Sequence, residues 1–159
     1  MNPPFNGSNL KNEAYIEVIN KRPFTQVIEL LQSAGLRPTR QRMALARILF
    51  NEGNRHVAAE DLHRDAKKAN IRVSLATVYN TLHQFASAGL LREMVVEPGR
   101  AYFDTNLSSH HFFFEDTGNI EDIPDNLISI SHLPKIPKGT ALNRVDVVLR
   151  LRTSERVKI

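Results

Sequence analysis

Between Ser74 and Gly89 the apolar residues Leu75, Val78, Leu82 and Phe85 return at three- and four-residue spacings. That period places them on one side of a helix. Ser74 supplies a hydroxyl able to accept from a first-turn backbone N–H, and Gly89 stands where a helix can end in the left-handed conformation. Thr77, Tyr79, Asn80, Thr81 and Gln84 are left off the stripe. Uncharged hydroxyls and amides suit base edges better than they suit a solvated surface, which favours Lys and Glu. Taken alone, this helix reads equally well as a major-groove reader and as an ordinary amphipathic surface helix.

The same period recurs upstream. Phe24 to Ala34 predicts a first helix, with Val27, Ile28 and Leu31 at helical spacing before Gly35. Pro38-Thr39 opens a second, whose apolar face is Met43, Leu45, Ala46, Leu49 and Phe50 and which stops near Gly53. Ala58 to Ala69 predicts a third, Leu62 and Ala66 inward, with Glu60 and Asp61 favourably placed in its first turn. After Gly89 the pattern turns β-prone. Leu91 to Val96, a Pro-Gly turn at 97–100 and Ala101 to Asp104 form a hairpin. Helices followed by a hairpin predict a winged helix-turn-helix, in which the helix after the turn enters the major groove.

From Ser108 the pattern changes again. His110 to Glu115 and Ile120 to Ile123 read as strands joined by the turn Asp116-Thr117-Gly118-Asn119. Pro124 to Ile130 reads as a helical turn or loop, and Pro134, Pro137 and Gly139 mark a linker. Val145 to Arg152 is the strongest strand signal of the chain. The fold class is therefore α+β: an N-terminal winged helix-turn-helix followed by a small α/β dimerisation domain. The expected division is a disordered segment at 1–15, a winged-helix DNA-binding domain at 16–106, and a dimerisation domain at 107–159, to which the resemblance described below adds metal or haem sensing. A sheet module of about 50 residues buries little surface alone, which predicts a symmetric homodimer.

Composition narrows the picture. The chain has 159 residues and no cysteine, which removes disulfides, Cys-based zinc sites and thiolate haem ligation, and predicts a reducing, cytoplasmic setting. No apolar run approaches the roughly 20 residues a membrane helix requires, and the first residues lack a secretory pattern. Residues 1–100 hold 14 Lys/Arg against 9 Asp/Glu, whereas residues 101–146 hold 3 against 7. A basic front and an acidic later segment fit polyanion contact first and cation or partner contact second, or chance asymmetry. Arg37, Arg40 and Arg42 gather at the start of the second helix, where its dipole disfavours cations unless an anion is bound. A phosphate resolves that conflict; so does plain solvation. No Gly-rich phosphate loop, nucleophile elbow or His-Glu-x-x-His motif is present.

His110 and His111 are the conspicuous chemistry of the later half. Neighbours in a strand point to opposite faces, so one can look into a site while the other meets solvent or a second ligand. Imidazole suits Fe, Zn and Mn, and backbone carbonyls satisfy a structural histidine equally well. With Phe112, Phe113 and Phe114 beside them, the two histidines also offer haem an axial ligand and an apolar slot, unless those rings form a dimer core.

Three runs carry a family resemblance: Gly35-Leu36-Arg37-Pro38-Thr39-Arg40-Gln41-Arg42, His56-Val57-Ala58-Ala59-Glu60-Asp61-Leu62, and Ser74 to Leu82. Together they resemble the ferric uptake regulator (Fur) family over roughly residues 24–152. Gly99 to Asp104 and Val145 to Arg152 are similar to its iron response regulator (Irr) branch. The resemblance implies a homodimer bound to double-stranded operator DNA under iron limitation and released or inactivated by haem, with a haem-delivering protein as a further candidate partner and no membrane association. The Fur-like alternative is a holo-repressor that requires Mn²⁺ or Fe²⁺ for DNA binding. The implied DNA contacts are Arg37, Thr39, Arg40, Arg42, Ser74, Thr77, Tyr79 and Asn80. His56, Asp104, His111 and Asp122 look like a sensory site for Fe²⁺, Mn²⁺ or Zn²⁺ bridging the two halves, and His110 and His111 like haem ligands. Three departures are visible. The Cys-x-x-Cys pairs and the N-terminal Cys-Pro motif are missing, and Ser109 stands where the Irr branch has the first of three histidines. A His/carboxylate metalloenzyme and a dimeric scaffold are the readings from other classes.

Overall fold

The computed structural model describes residues 23–51 and 53–154. The segment expected to be disordered (1–15) and the first residues assigned to the DNA-binding domain lie outside them. The chain divides into two compact units, the first ending at Leu107 and the second beginning at Ser108.

In the first unit the order is α1 (Pro23–Ser33), α2 (Arg40–Phe50), β1 (His56–Val57), α3 (Ala59–Lys68), α4 (Leu75–Ser87), β2 (Arg92–Glu97) and β3 (Arg100–Asp104). The helices pack on one another through the residues their period selected: Val27 and Leu31, Leu45 and Leu49, Leu62 and Ala66, Val78, Leu82 and Phe85. Phe103 brings the sheet into the same core, fully buried. The α3–α4 pair is the expected helix-turn-helix. The starts of α2, α3 and α4 are each closed by their own chemistry. Thr39 accepts from the Arg42 N–H, Asp61 accepts from the Ala58 N–H, and Ser74 accepts from the Thr77 N–H.

The hairpin β2–β3 is antiparallel, and its turn is made by Gly99 at φ 77°, a left-handed position that glycine takes without a Cβ penalty. The short strand β1 was not anticipated. Two residues carry too little periodicity to register, yet β1 adds to β3 and gives the sheet order β1-β3-β2. The burial stripe of α4 also differs by one step from the expected one. Thr81 is buried and Leu75 only half-buried. The Thr81 hydroxyl donates to the Thr77 carbonyl at 2.8 Å, which satisfies it inside the helix and lets its methyl face the core.

The second unit contains β4 (Ser109–Phe114), β5 (Asn119–Pro124), a single 3₁₀ turn (Asp125–Leu127) and β6 (Val148–Leu151), in sheet order β5-β4-β6. β4 and β5 are antiparallel and β6 lies parallel to β4. Antiparallel β5 returns the chain to the end of the sheet where β6 begins, and residues 128–147 carry it past β4 to the opposite edge with neither helix nor strand. Pro134 and Pro137 remove the amide hydrogens a crossover helix would use. The last strand is shorter than the run Val145 to Arg152 predicts. The Val147 N–H donates to the His110 Nδ1 instead of a ladder carbonyl, and pairing begins only at Val148.

Candidate metal centre and nucleic-acid interface

On the first unit, α4 carries Thr77, Tyr79 and Asn80 off its buried stripe, with Asn80 exposed and the other two half-buried. The Tyr79 hydroxyl donates to Glu60 Oε1 at 2.9 Å, from α4 across to the first turn of α3. The same hydrogen bond, reinforced by desolvation and by the carboxylate's charge, raises the phenol above its ordinary value of 10.0. The Tyr79 ring stacks on His83 at 6.4 Å, and His83 meets the edge of Phe103 at 5.3 Å. Tyr79 is therefore held from two sides. Sequence reasoning placed Glu60 only as a helix-dipole partner and missed its reach to Tyr79, since the two are 19 residues apart.

The arginine cluster separates into two kinds. Arg37 and Arg40 are exposed at the start of α2. Arg42 is engaged internally: its Nε and Nη2 donate to Gln84 Oε1 at 3.1 and 2.9 Å, and its Nη1 donates to the Arg37 carbonyl at 2.9 Å. It therefore braces α2 against α4. Thr39 is the N-cap of α2 and Ser74 that of α4, so both hydroxyls serve helix starts in this structure. A cleft of about 700 Å³ lined by Gln41, Lys67, Asn70 and Arg72 opens beside Ser74, placing two cations near the N-terminus of α4. At the wing, Arg100 sits over the Tyr102 ring at 4.9 Å.

The expected metal ligands occur as two cross-strand His–Asp pairs. On β1 and β3, His56 is the register partner of Asp104, with Nε2 3.4 Å from Oδ2. Asp104 is fully buried, and its Oδ1 accepts from the Asn106 N–H at 2.7 Å. On β4 and β5, His111 is the register partner of Asp122, with Nε2 3.4 Å from Oδ1. Ser109 donates to that same Oδ1 at 3.0 Å and lies 3.3 Å from the His111 nitrogen. Each pair offers one imidazole nitrogen and one carboxylate oxygen. Such mixed donors suit Mn²⁺, Fe²⁺ or Zn²⁺. A buried carboxylate facing an imidazole nitrogen, as at Asp104 and His56, is also a donor set that such a cation takes.

Strand alternation settles how the two neighbouring histidines are disposed. Ser109, His111 and Phe113 are buried, while His110, Phe112 and Phe114 are half-buried on the other face. His110 and His111 therefore face opposite ways and do not share one iron within this unit. The Nδ1 of His110 accepts from the Val147 N–H at 3.3 Å, so a haem iron would have to be ligated through Nε2.

A winged helix-turn-helix joined to a small sheet with His–carboxylate pairs defines a class of ligand-responsive DNA-binding proteins. The sequence model of the ferric uptake regulator family matches residues 33–150. The chain is 36% identical over 97 residues to the ferric uptake regulation protein of Cupriavidus metallidurans, covering 60% of this chain and 68% of that one. It is 33% identical over 100 residues to that of Escherichia coli K12, covering 62% and 68%. Among solved structures it resembles the ferric uptake regulator from Pseudomonas aeruginosa with manganese. That match has a TM-score of 0.64 and 28% identity, over 81% of this chain and 98% of the other. The fold is shared with the Vibrio cholerae regulator at a TM-score of 0.62 and 23% identity, over 79% and 98%. The chain belongs to the ferric uptake regulator family, a family of metal-responsive transcription regulators. Among the described residues no helix is long and apolar enough to cross a membrane.

Proposed function

We propose that this protein binds operator DNA as a homodimer and that one divalent cation, Fe²⁺ or Mn²⁺, held by His56, Asp104, His111 and Asp122, sets its affinity. The observation that carries this reading is the pair of cross-strand His–Asp couples, one on each sheet, each with two donors of the type these metals take. Two donors alone hold a metal weakly. Four drawn from both units would tie the orientation of the DNA-binding unit to metal occupancy. Asn80, Thr77 and Tyr79 would meet bases, and Arg37, Arg40 and the cations beside Ser74 would meet phosphates. Arg42 acts as the brace between α2 and α4. The second unit leaves Leu127, Ile130, Leu133, Leu142 and Leu149 exposed, and a second copy would cover them.

A metal can change DNA affinity only through its different affinity for the two states, and a tenfold change needs about 1.4 kcal/mol of coupling. The deciding experiment is a titration with a duplex enriched from a random library, run with Mn²⁺, with chelator and with haemin. Tight binding with Mn²⁺ that is lost with chelator supports the reading; affinity indifferent to chelator overturns it.

A second reading, the Irr-like response in which haem releases the DNA, is favoured by one feature. His110 shares its half-buried face with Phe112 and Phe114, whose rings lie 6.5 Å apart. It predicts the opposite outcome: binding without added metal and release by haemin.

A further inference from the structure

We propose that Glu60 is a specificity-determining positioning residue, which commits the Tyr79 hydroxyl as a donor and so makes its oxygen an acceptor toward amino-bearing bases. The inference rests on the reading that α4 enters the major groove. A phenol has one proton and two lone pairs. Here the proton is donated to Glu60 Oε1 at 2.9 Å, a charge-assisted bond of the stronger kind. The ring is fixed as well, stacked on His83, whose Nδ1 is 3.4 Å from Glu93 Oε2 on β2. What remains on the Tyr79 oxygen is acceptor capacity.

In the major groove adenine N6 and cytosine N4 are donors, whereas thymine O4 and guanine O6 are acceptors. An acceptor-only phenol matches the first two. Against the last two it sets lone pair against lone pair, with a carboxylate immediately behind. The exposed Glu60 carboxylate also repels phosphates in any misplaced register, a penalty that falls mostly on non-specific binding. The raised Tyr79 phenol fits this assignment, because the neighbouring carboxylate favours the protonated donor.

The test is selection of a random-sequence duplex library by the full-length protein and by its Glu60→Ala, Glu60→Gln and Tyr79→Phe variants, each with Mn²⁺ present. The expected wild-type motif has adenine or cytosine at one position per half-site, preferred about tenfold over thymine and guanine. Glu60→Ala should erase that preference at this position alone, raise affinity for unrelated duplex, and leave the other positions unchanged. Tyr79→Phe should erase the same position, and the double variant should add nothing further. A spectroscopic readout runs in parallel: the Tyr79 absorbance titration, taken as wild type minus Tyr79→Phe, should fall back toward the ordinary phenol range in Glu60→Ala. Glu60→Gln keeps the side chain's size and an amide oxygen that can still accept the Tyr79 proton, so it should retain part of the preference that Glu60→Ala erases, which separates loss of the acceptor from loss of charge or packing. The proposal is overturned if Glu60→Ala keeps the preference, or weakens every sequence by one factor. If the wild type enriches no motif at all, the major-groove reading falls first, and that result is distinct from the other two.

Discussion

Ser74 closes the first turn of α4 twice, accepting from the Thr77 N–H at 3.1 Å and meeting the Thr77 hydroxyl at 2.9 Å. Replacing Ser74 with Ala leaves that amide to water and should cost about 1 kcal/mol, read as a lower urea midpoint at unchanged slope. At the other end Gly89 sits at φ 81°, with the Leu90 N–H returning to the Phe85 carbonyl and its own N–H to that of Ala86. This double bond is the Schellman arrangement. Both caps were legible in the sequence because each depends on one residue type at one offset. The partner of Tyr79 was not, since nothing in the order of residues brings Glu60 beside it. At the metal ligands the prediction concerns affinity. His111→Ala should weaken Mn²⁺ binding at least tenfold in a calorimetric titration, about 1.4 kcal/mol, while the far-UV spectrum stays as in wild type. Unaltered Mn²⁺ affinity would remove His111 from the ligand set.

At the level of elements, the helices of the first unit followed their apolar period and the strands of the second did so only in part. β4 alternates buried and half-buried positions along its whole length, as its sequence indicates. β6 is pinned instead by charge. Arg152 and Arg150 both reach Glu115 at the end of β4, and the Thr153 N–H reaches the Asp116 carboxylate. The Arg152 hydrogen bond above all holds the Glu115 carboxyl below its ordinary 4.5. A carboxyl lowered on folding stabilises the native state above its unfolded value and loses that contribution as pH falls through its folded one. The pairing should therefore weaken below about pH 4.5, and Glu115→Gln should remove this limb of the acid unfolding curve while lowering stability at neutral pH. An acid limb identical in both proteins would assign it to other carboxylates.

For the whole molecule, clustered cations on the first unit predict how DNA binding responds to salt. A protein that neutralises 6–10 phosphates loses about 10³-fold or more in affinity between 50 and 200 mM salt. Arg40→Ala should reduce the slope of that dependence by about one and weaken all sequences alike, unlike the Glu60 variants. A flat salt dependence would favour the metalloenzyme or scaffold alternatives. Dimerisation is tested separately by sedimentation. The exposed apolar residues of the second unit predict dimer across micromolar concentrations, and Leu133→Asp should shift the population toward monomer.

What the chain determines by itself is everything that is local: helix periods, caps, the Gly99 turn, strand alternation, the absence of thiols and the candidate donors. These depend on residues within a few positions of one another, where backbone geometry leaves little choice. The tertiary structure decided the rest. It made Thr81 a core residue through a bond to its own helix, and joined Arg42 of α2 to Gln84 of α4, 42 positions away. It also paired His56 with Asp104, 48 positions away, through a two-residue strand too short to leave a periodic trace. Long-range partners are chosen by packing and register, and those are properties of the folded chain alone.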